Sequence, residues 1–230
     1  MEMKTQQGPQ SAQEQPVAIG IRFIVVGLVV PLVYQATFTT FAILAPETIF
    51  PPQVWLGFHL LTGVFFTCGP LFATGLPLRK AWRALGGRKV APIDLALVVL
   101  IGTAATTALS AAYNAVMNTV FHLSASFGFT QSSQDVPLFV LFVVLVGPLG
   151  EEVLFRGYLG VLIRKRWVFI LVSAAAWSAA HVDPYNALPL FWTGLMLAWV
   201  RQRTGSFYPT FALHFTINAL ALLLHYATPM

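Results

Sequence analysis

Two adjacent carboxylates stand in an apolar stretch, Gly147-Pro148-Leu149-Gly150-Glu151-Glu152-Val153-Leu154-Phe155-Arg156-Gly157. An ionisable group at the centre of a membrane helix costs at least about 2.5–3.5 kcal/mol and usually marks function. Neighbours on a helix lie about 100° apart, so the two carboxylates point to different sides. Glu152 and Arg156 are four apart and can pair along one face. Glu151 points well away from Arg156. This spacing gives Glu152 a structural ion pair and leaves Glu151 for chemistry. The plainer alternative makes Glu151 a polar contact that holds helices together.

Downstream come Trp177-Ser178-Ala179-Ala180-His181 and His214-Phe215-Thr216-Ile217-Asn218. His214 and Asn218 share a helix face. Counted at ~1.5 Å per residue from the basic helix ends, Glu151 lies about 18 Å in and His181 about 21 Å. His214 and Asn218 lie about 11–17 Å in by the same measure. Four polar groups on three helices thus reach overlapping depths. His59, His122 and His225 read as interhelical or interfacial residues. A carboxylate base, two imidazoles and an amide suit peptide hydrolysis: Glu151 takes a proton from water, and imidazole and amide N–H groups stabilise the oxyanion. Proton return to the leaving amine falls to Glu151 or His181. Ser173 and Ser178 lie in no G-x-S-x-G turn, and H-E-x-x-H is absent. The reading expects no metal or other cofactor. Its zinc alternative would use Glu151, His181 and His214 as three ligands with an open water position, without a short-spaced ligand pair on one helix to reinforce it.

These residues need a membrane scaffold. The 230-residue chain is 57% hydrophobic and 9% charged, whereas soluble domains are about 25% charged. A spanning helix needs about 20 mostly apolar residues. The pattern predicts an all-α, polytopic transmembrane bundle of about seven spans, with six to eight as the range. They run over 17–45 (bent at Pro31), 54–77, 92–120, 137–163, 167–181, 188–200 and 207–226. The sixth is short for a span, and the third is longer than the hydrocarbon requires. Residues 1–16, polar and Gln-rich, are expected to form a disordered tail, and 17–230 one integral membrane domain. The first apolar segment is read as a retained span.

The net charge of +5 does not point to nucleic acid, because the basic residues lie between apolar stretches. Lys4 and Arg22 flank the start of the first helix. Arg79, Lys80, Arg83, Arg88 and Lys89 follow the second, Arg164, Lys165 and Arg166 the fourth, and Arg201 and Arg203 the sixth. All fall on one side of a seven-span arrangement, while the other side holds Glu47, Asp135 and Asp183. The asymmetry predicts a cytoplasmic N-terminus. Cys68, the only cysteine, reads as packing and excludes an internal disulfide or a paired-cysteine zinc site.

The three motifs resemble the CAAX prenyl protease and bacteriocin-processing (CPBP, or ABI) membrane protease family. Its pattern is E-E-x-x-x-R, then F-x-x-x-H, then H-x-x-x-N or H-x-x-x-D. Here the matching residues are Glu151-Glu152 with Arg156, Trp177 with His181, and His214 with Asn218. Phe155-Arg156-Gly157-Tyr158, Thr204-Gly205-Ser206 and Pro209 add to the likeness, which covers about 137–220. Trp177 departs from the family's Phe. The resemblance implies that Glu151 activates water, His181 assists, His214 and Asn218 form the oxyanion site, and Glu152 and Arg156 support them. The implied activity is an intramembrane endopeptidase acting on membrane-associated or lipidated substrates, including prenylated CAAX-type ones, with membrane lipid around it. Competing readings are a noncatalytic membrane binding or immunity protein with the same fold and a proton-coupled transporter, although no repeated halves are visible. The short chain favours a bacterial plasma membrane.

Overall fold

The computed structural model describes Gly20 and residues 24–44, 52–123 and 136–227. The tail expected at 1–16, with Lys4, Arg22, Glu47 and Asp135, lies outside these residues. The described chain is a helical bundle. The first rod opens with a π-helical turn, Val25–Val29, and continues as α1 (Val30–Leu44). The irregularity expected at Pro31 is therefore this wide turn, in which Val30 N–H reaches back to Val25 O. Next come α2 (Pro52–Ala73), α3 (Leu78–Ala84) and α4 (Pro92–Phe121). The rod α5 is composite: Val136–Leu141, a π segment Phe142–Val146, Gly147–Glu151, a second π segment Glu152–Tyr158, and Leu159–Leu162. After it follow α6 (Arg166–Ala180), α7 (Ala187–Thr204) and α8 (Tyr208–Ala227).

Four described helices are long and apolar enough to cross a membrane: Leu56–Ala73, Pro92–Phe121, Pro137–Leu162 and Tyr208–Ala227. Two further apolar helices, Val25–Thr37 and Arg166–Ala180, are shorter. The chain is an integral membrane helical bundle.

Several predicted boundaries shift for local reasons. The second helix, expected to reach 77, stops at Ala73 because Gly75 takes a left-handed conformation (φ 66°) and Pro77 cannot continue the ladder. The sequence beyond it was read as loop and holds α3 instead. The sixth helix, expected over 188–200, extends through 18 residues to Thr204, where Gly205 (φ 65°) closes it. At 30 residues, α4 is about 45 Å long, well beyond a hydrocarbon core of about 30 Å.

Small residues set how closely the rods approach. A Cβ on Gly150 would lie 2.7 Å from Gly63 O, so α2 meets α5 backbone to backbone one residue before Glu151. A Cβ on Gly194 would lie 2.9 Å from Ala174 Cα, which fixes the crossing of α7 with α6. Around the second half of α5, Phe155, Tyr158, Phe169, Leu85 and Phe207 form a sealed apolar core with Trp177 at its edge. The outer surface shows large apolar side chains such as Leu100 and Ile101, as lipid-facing helices require.

Candidate active site

The carboxylate pair is divided by its surroundings. Glu152 is fully buried: Arg156 Nη1 donates to its Oε1 at 3.1 Å, and His214 Nδ1 lies 3.1 Å from the same oxygen. Arg156 is also fully buried and reaches Gly194 O with Nη2 at 3.4 Å. Its guanidinium carbon stands 5.0 Å from the Trp177 ring centre, within cation–π range. The Glu151 side chain keeps 22% of its surface open, and its Oε2 is 3.9 Å from His214 Nε2. One carboxylate is sealed in a network. The other is accessible.

Trp177 is the hub of this arrangement. Its indole N–H donates to Glu151 Oε2 at 2.5 Å. Its ring meets His181 edge-on at 4.6 Å between centres and His214 edge-on at 5.3 Å. His181 caps the C-terminal end of α6, with Nδ1 2.8 Å from Trp177 O. The next residue, Val182, has φ 50°, a strained value for a β-branched side chain. His181 is thus held at a tight helix exit, not within the helix.

Two carbonyls of α5 lose their ordinary helix donors, and side chains from neighbouring helices replace them. Gly147 N–H reaches back to Phe142 O instead of Val143 O, and Pro148 has no N–H to offer. Asn218 Nδ2 donates to Val143 O at 2.9 Å. In the second π segment, Leu159 N–H bonds Leu154 O instead of Phe155 O, and Ser173 Oγ donates to Phe155 O at 3.0 Å. Arg201 Nε adds a bond to Arg156 O at 3.1 Å. Within a membrane such breaks persist only where the freed groups are served again.

Residues 133–220 match the family model described as "Rce1-like: Type II CAAX prenyl endopeptidase Rce1-like". The chain carries an Rce1-like segment. A 24.3 kDa protein of Escherichia coli, described as uncharacterized, is 34% identical over 101 residues, covering 40% of this chain and 46% of the relative. The match therefore spans less than half of that curated relative's length. No solved structure matches the chain.

All six residues picked from the sequence lie in the Rce1-like segment. The structure gathers Glu151, Glu152, Arg156 and His214 into one cluster and links His181 to it through Trp177. Asn218 is placed on the Val143 carbonyl. Trp177 entered the sequence reading only as a departure from the family's Phe, although a buried indole N–H ordinarily seeks an acceptor and Glu151 supplies one. Ser173, rejected above as a nucleophile, has a backbone partner that motif spacing does not reveal. Among the described residues, no three His, Cys, Asp or Glu side chains are gathered as a metal ion requires.

Proposed function

We propose that the protein is an intramembrane endopeptidase in which Glu151 activates water against a peptide bond of a membrane-associated or lipidated protein, prenylated CAAX-type chains among them. The observation that carries this reading is the split of the carboxylate pair: Glu152 is buried in an ion pair, whereas Glu151 is accessible and oriented. The 3.9 Å between Glu151 Oε2 and His214 Nε2 exceeds a direct hydrogen bond. One water can bridge that gap. Glu151 takes the proton as the oxygen attacks the scissile carbonyl.

The histidine tautomers follow from their partners. An ionised Glu152 only accepts, so His214 Nδ1 carries the proton toward it. Only with a second proton, taken from solvent water before the substrate binds, does His214 also donate from Nε2 to the oxyanion, with Glu152 behind it as countercharge. His181 gives its Nδ1–H to Trp177 O, which leaves Nε2 free, so the proton Glu151 took from water passes to the leaving amine from Glu151 itself or by way of His181 Nε2. The spare N–H of the Asn218 amide is the second oxyanion donor. The family match supports the reaction class. We also place the N-terminus in the cytoplasm, on the charge asymmetry of the loops, and the protein in a bacterial plasma membrane, in keeping with the Escherichia coli relative.

The test is cleavage of a quenched fluorescent peptide library, with prenylated members, by the purified protein and by Glu151→Ala, each with and without a zinc chelator. Cleavage that survives the chelator and vanishes in the variant is expected. Loss with chelator would replace this reading by the zinc one. Equal cleavage by both proteins would remove Glu151 from the chemistry.

A further inference from the structure

A cavity of about 920 Å³ opens where α2 leaves the bundle, and none of the residues given a role above lines it. Arg79, Arg83, Arg88 and Lys89 line it, and no carboxylate among the described residues does. Arg79 and Arg83 are four apart on α3 and so share a face. The rest of the wall is apolar and aromatic, with Leu71, Leu78, Trp82 and Tyr208. Leu78 leaves 70% of its surface exposed beside these cations.

The pocket is firmly built. Trp82 Nε1 donates to Tyr208 OH at 2.7 Å, and Ser206 Oγ donates to Arg88 O at 2.6 Å. Phe207 N–H bonds Gly86 O at 3.1 Å. The loop after α3 is thereby fastened to the start of α8, the helix that carries His214. The apolar span Leu56–Ala73 ends beside this pocket, which places it at the level of lipid headgroups.

We propose that this pocket binds the phosphodiester headgroup of an anionic phospholipid, with the acyl chains leaving along Leu71 and Leu78. The cations match the phosphate. Aromatic rings suit the interface, where one end of the group is apolar and the other wet. The volume lies within the range of about 300–1,000 Å³ usual for small-ligand sites and exceeds what a bare phosphate fills. A lipid seated there ties α3 to α8 and braces the His214 helix from its start. The proposal stands apart from the protease reading, since binding requires no turnover.

The test titrates the full-length protein, in neutral detergent, with phosphatidylglycerol, phosphatidylcholine or inorganic phosphate, read by native mass spectrometry and melting temperature. Phosphatidylglycerol is expected to remain bound and raise the melting temperature, while phosphatidylcholine and inorganic phosphate do neither. Removing a cation near the surface should weaken binding about fivefold, so Arg79→Gln with Arg83→Gln should weaken it about 25-fold. Both residues are exposed, so the unliganded melting temperature should hold. Arg164→Gln with Lys165→Gln, on a basic loop outside the pocket, should leave binding unchanged. Equal retention of phosphatidylglycerol by the Arg79/Arg83 variant would overturn the site. Equal binding of phosphatidylcholine would overturn the charge readout, and displacement by inorganic phosphate would make it a free-anion site.

Discussion

The rods α4 and α5 are both apolar and both long enough to cross a bilayer, yet only α5 buries charged side chains. Over their spanning windows α4 is 11% buried and α5 44%. α4 runs through 30 residues as a regular helix with one acidic residue, Asp94, in its first turn. α5 is interrupted by two π segments and holds Glu151, Glu152 and Arg156. The difference teaches where a membrane helix can afford polar side chains and irregular backbone. Lipid offers no hydrogen bonds, so each break needs a neighbour that serves it. α5 has such neighbours on every side: Asn218 from α8, Ser173 from α6 and Arg201 from α7.

The comparison breaks most sharply at Glu151. Replacing it with Gln should lower kcat/KM about 10²–10⁴-fold, as loss of a general base does, with little change in melting temperature, because the side chain is partly open. Arg156→Leu should act in the opposite way. It leaves Glu152 buried beside His214 without its cation, which should cost about 3–5 kcal/mol of stability. Unfolding in mixed detergent would measure both. A variant of Arg156 that loses activity while keeping full stability would show that the sealed network serves chemistry directly.

Trp177→Phe keeps an aromatic ring between the two histidines and removes one N–H. A hydrogen bond to a charged group is worth about 1.5–3 kcal/mol, so kcat/KM should fall about tenfold to a hundredfold at nearly unchanged stability. An unchanged rate would mean that the indole contact does not orient Glu151. Ser173→Ala and Asn218→Ala each strip the donor from a freed carbonyl and should cost about 1–3 kcal/mol of stability. The two separate in turnover: only Asn218→Ala should also lower kcat, if its second N–H meets the oxyanion. Equal kcat in both variants would confine Asn218 to its place on Val143.

How much of this was legible depends on which interactions are local. The rods were readable because apolar length is a local property: the third was expected over 92–120 and runs Pro92–Phe121, and the fourth over 137–163 and runs to Leu162. The Glu152–Arg156 pair was readable because i,i+4 spacing brings those side chains together within one helix. α3 was not, because Leu78-Arg79-Lys80-Ala81-Trp82-Arg83-Ala84 is short and basic, and its inward face shows only once Trp82 has Tyr208 to meet. The π segments were hidden because reading at a period of 3.6 assumes an unbroken ladder. Pro148 signals a lost donor, but nothing in the sequence says that Asn218, 75 residues beyond Val143, replaces it.

The smallest expected effect lies on the quiet rod. Leu100 on α4 is 70% exposed, and its side chain faces lipid. Truncation to Ala should change stability by no more than about 0.5 kcal/mol, since lipid surrounds that position whether or not the bundle is packed. Leu213 on α8 is fully buried against α4, where a Cβ on Gly102 would meet Leu213 Cδ2 at 2.6 Å. The same truncation there opens a cavity and should cost about 2–5 kcal/mol. Measured side by side, the pair tests whether α4 contributes only the narrow face it turns to α7 and α8. A large loss at Leu100 would mean that another protein surface covers the outer side of α4, and the contrast between the two rods would then be one of partners, not of lipid.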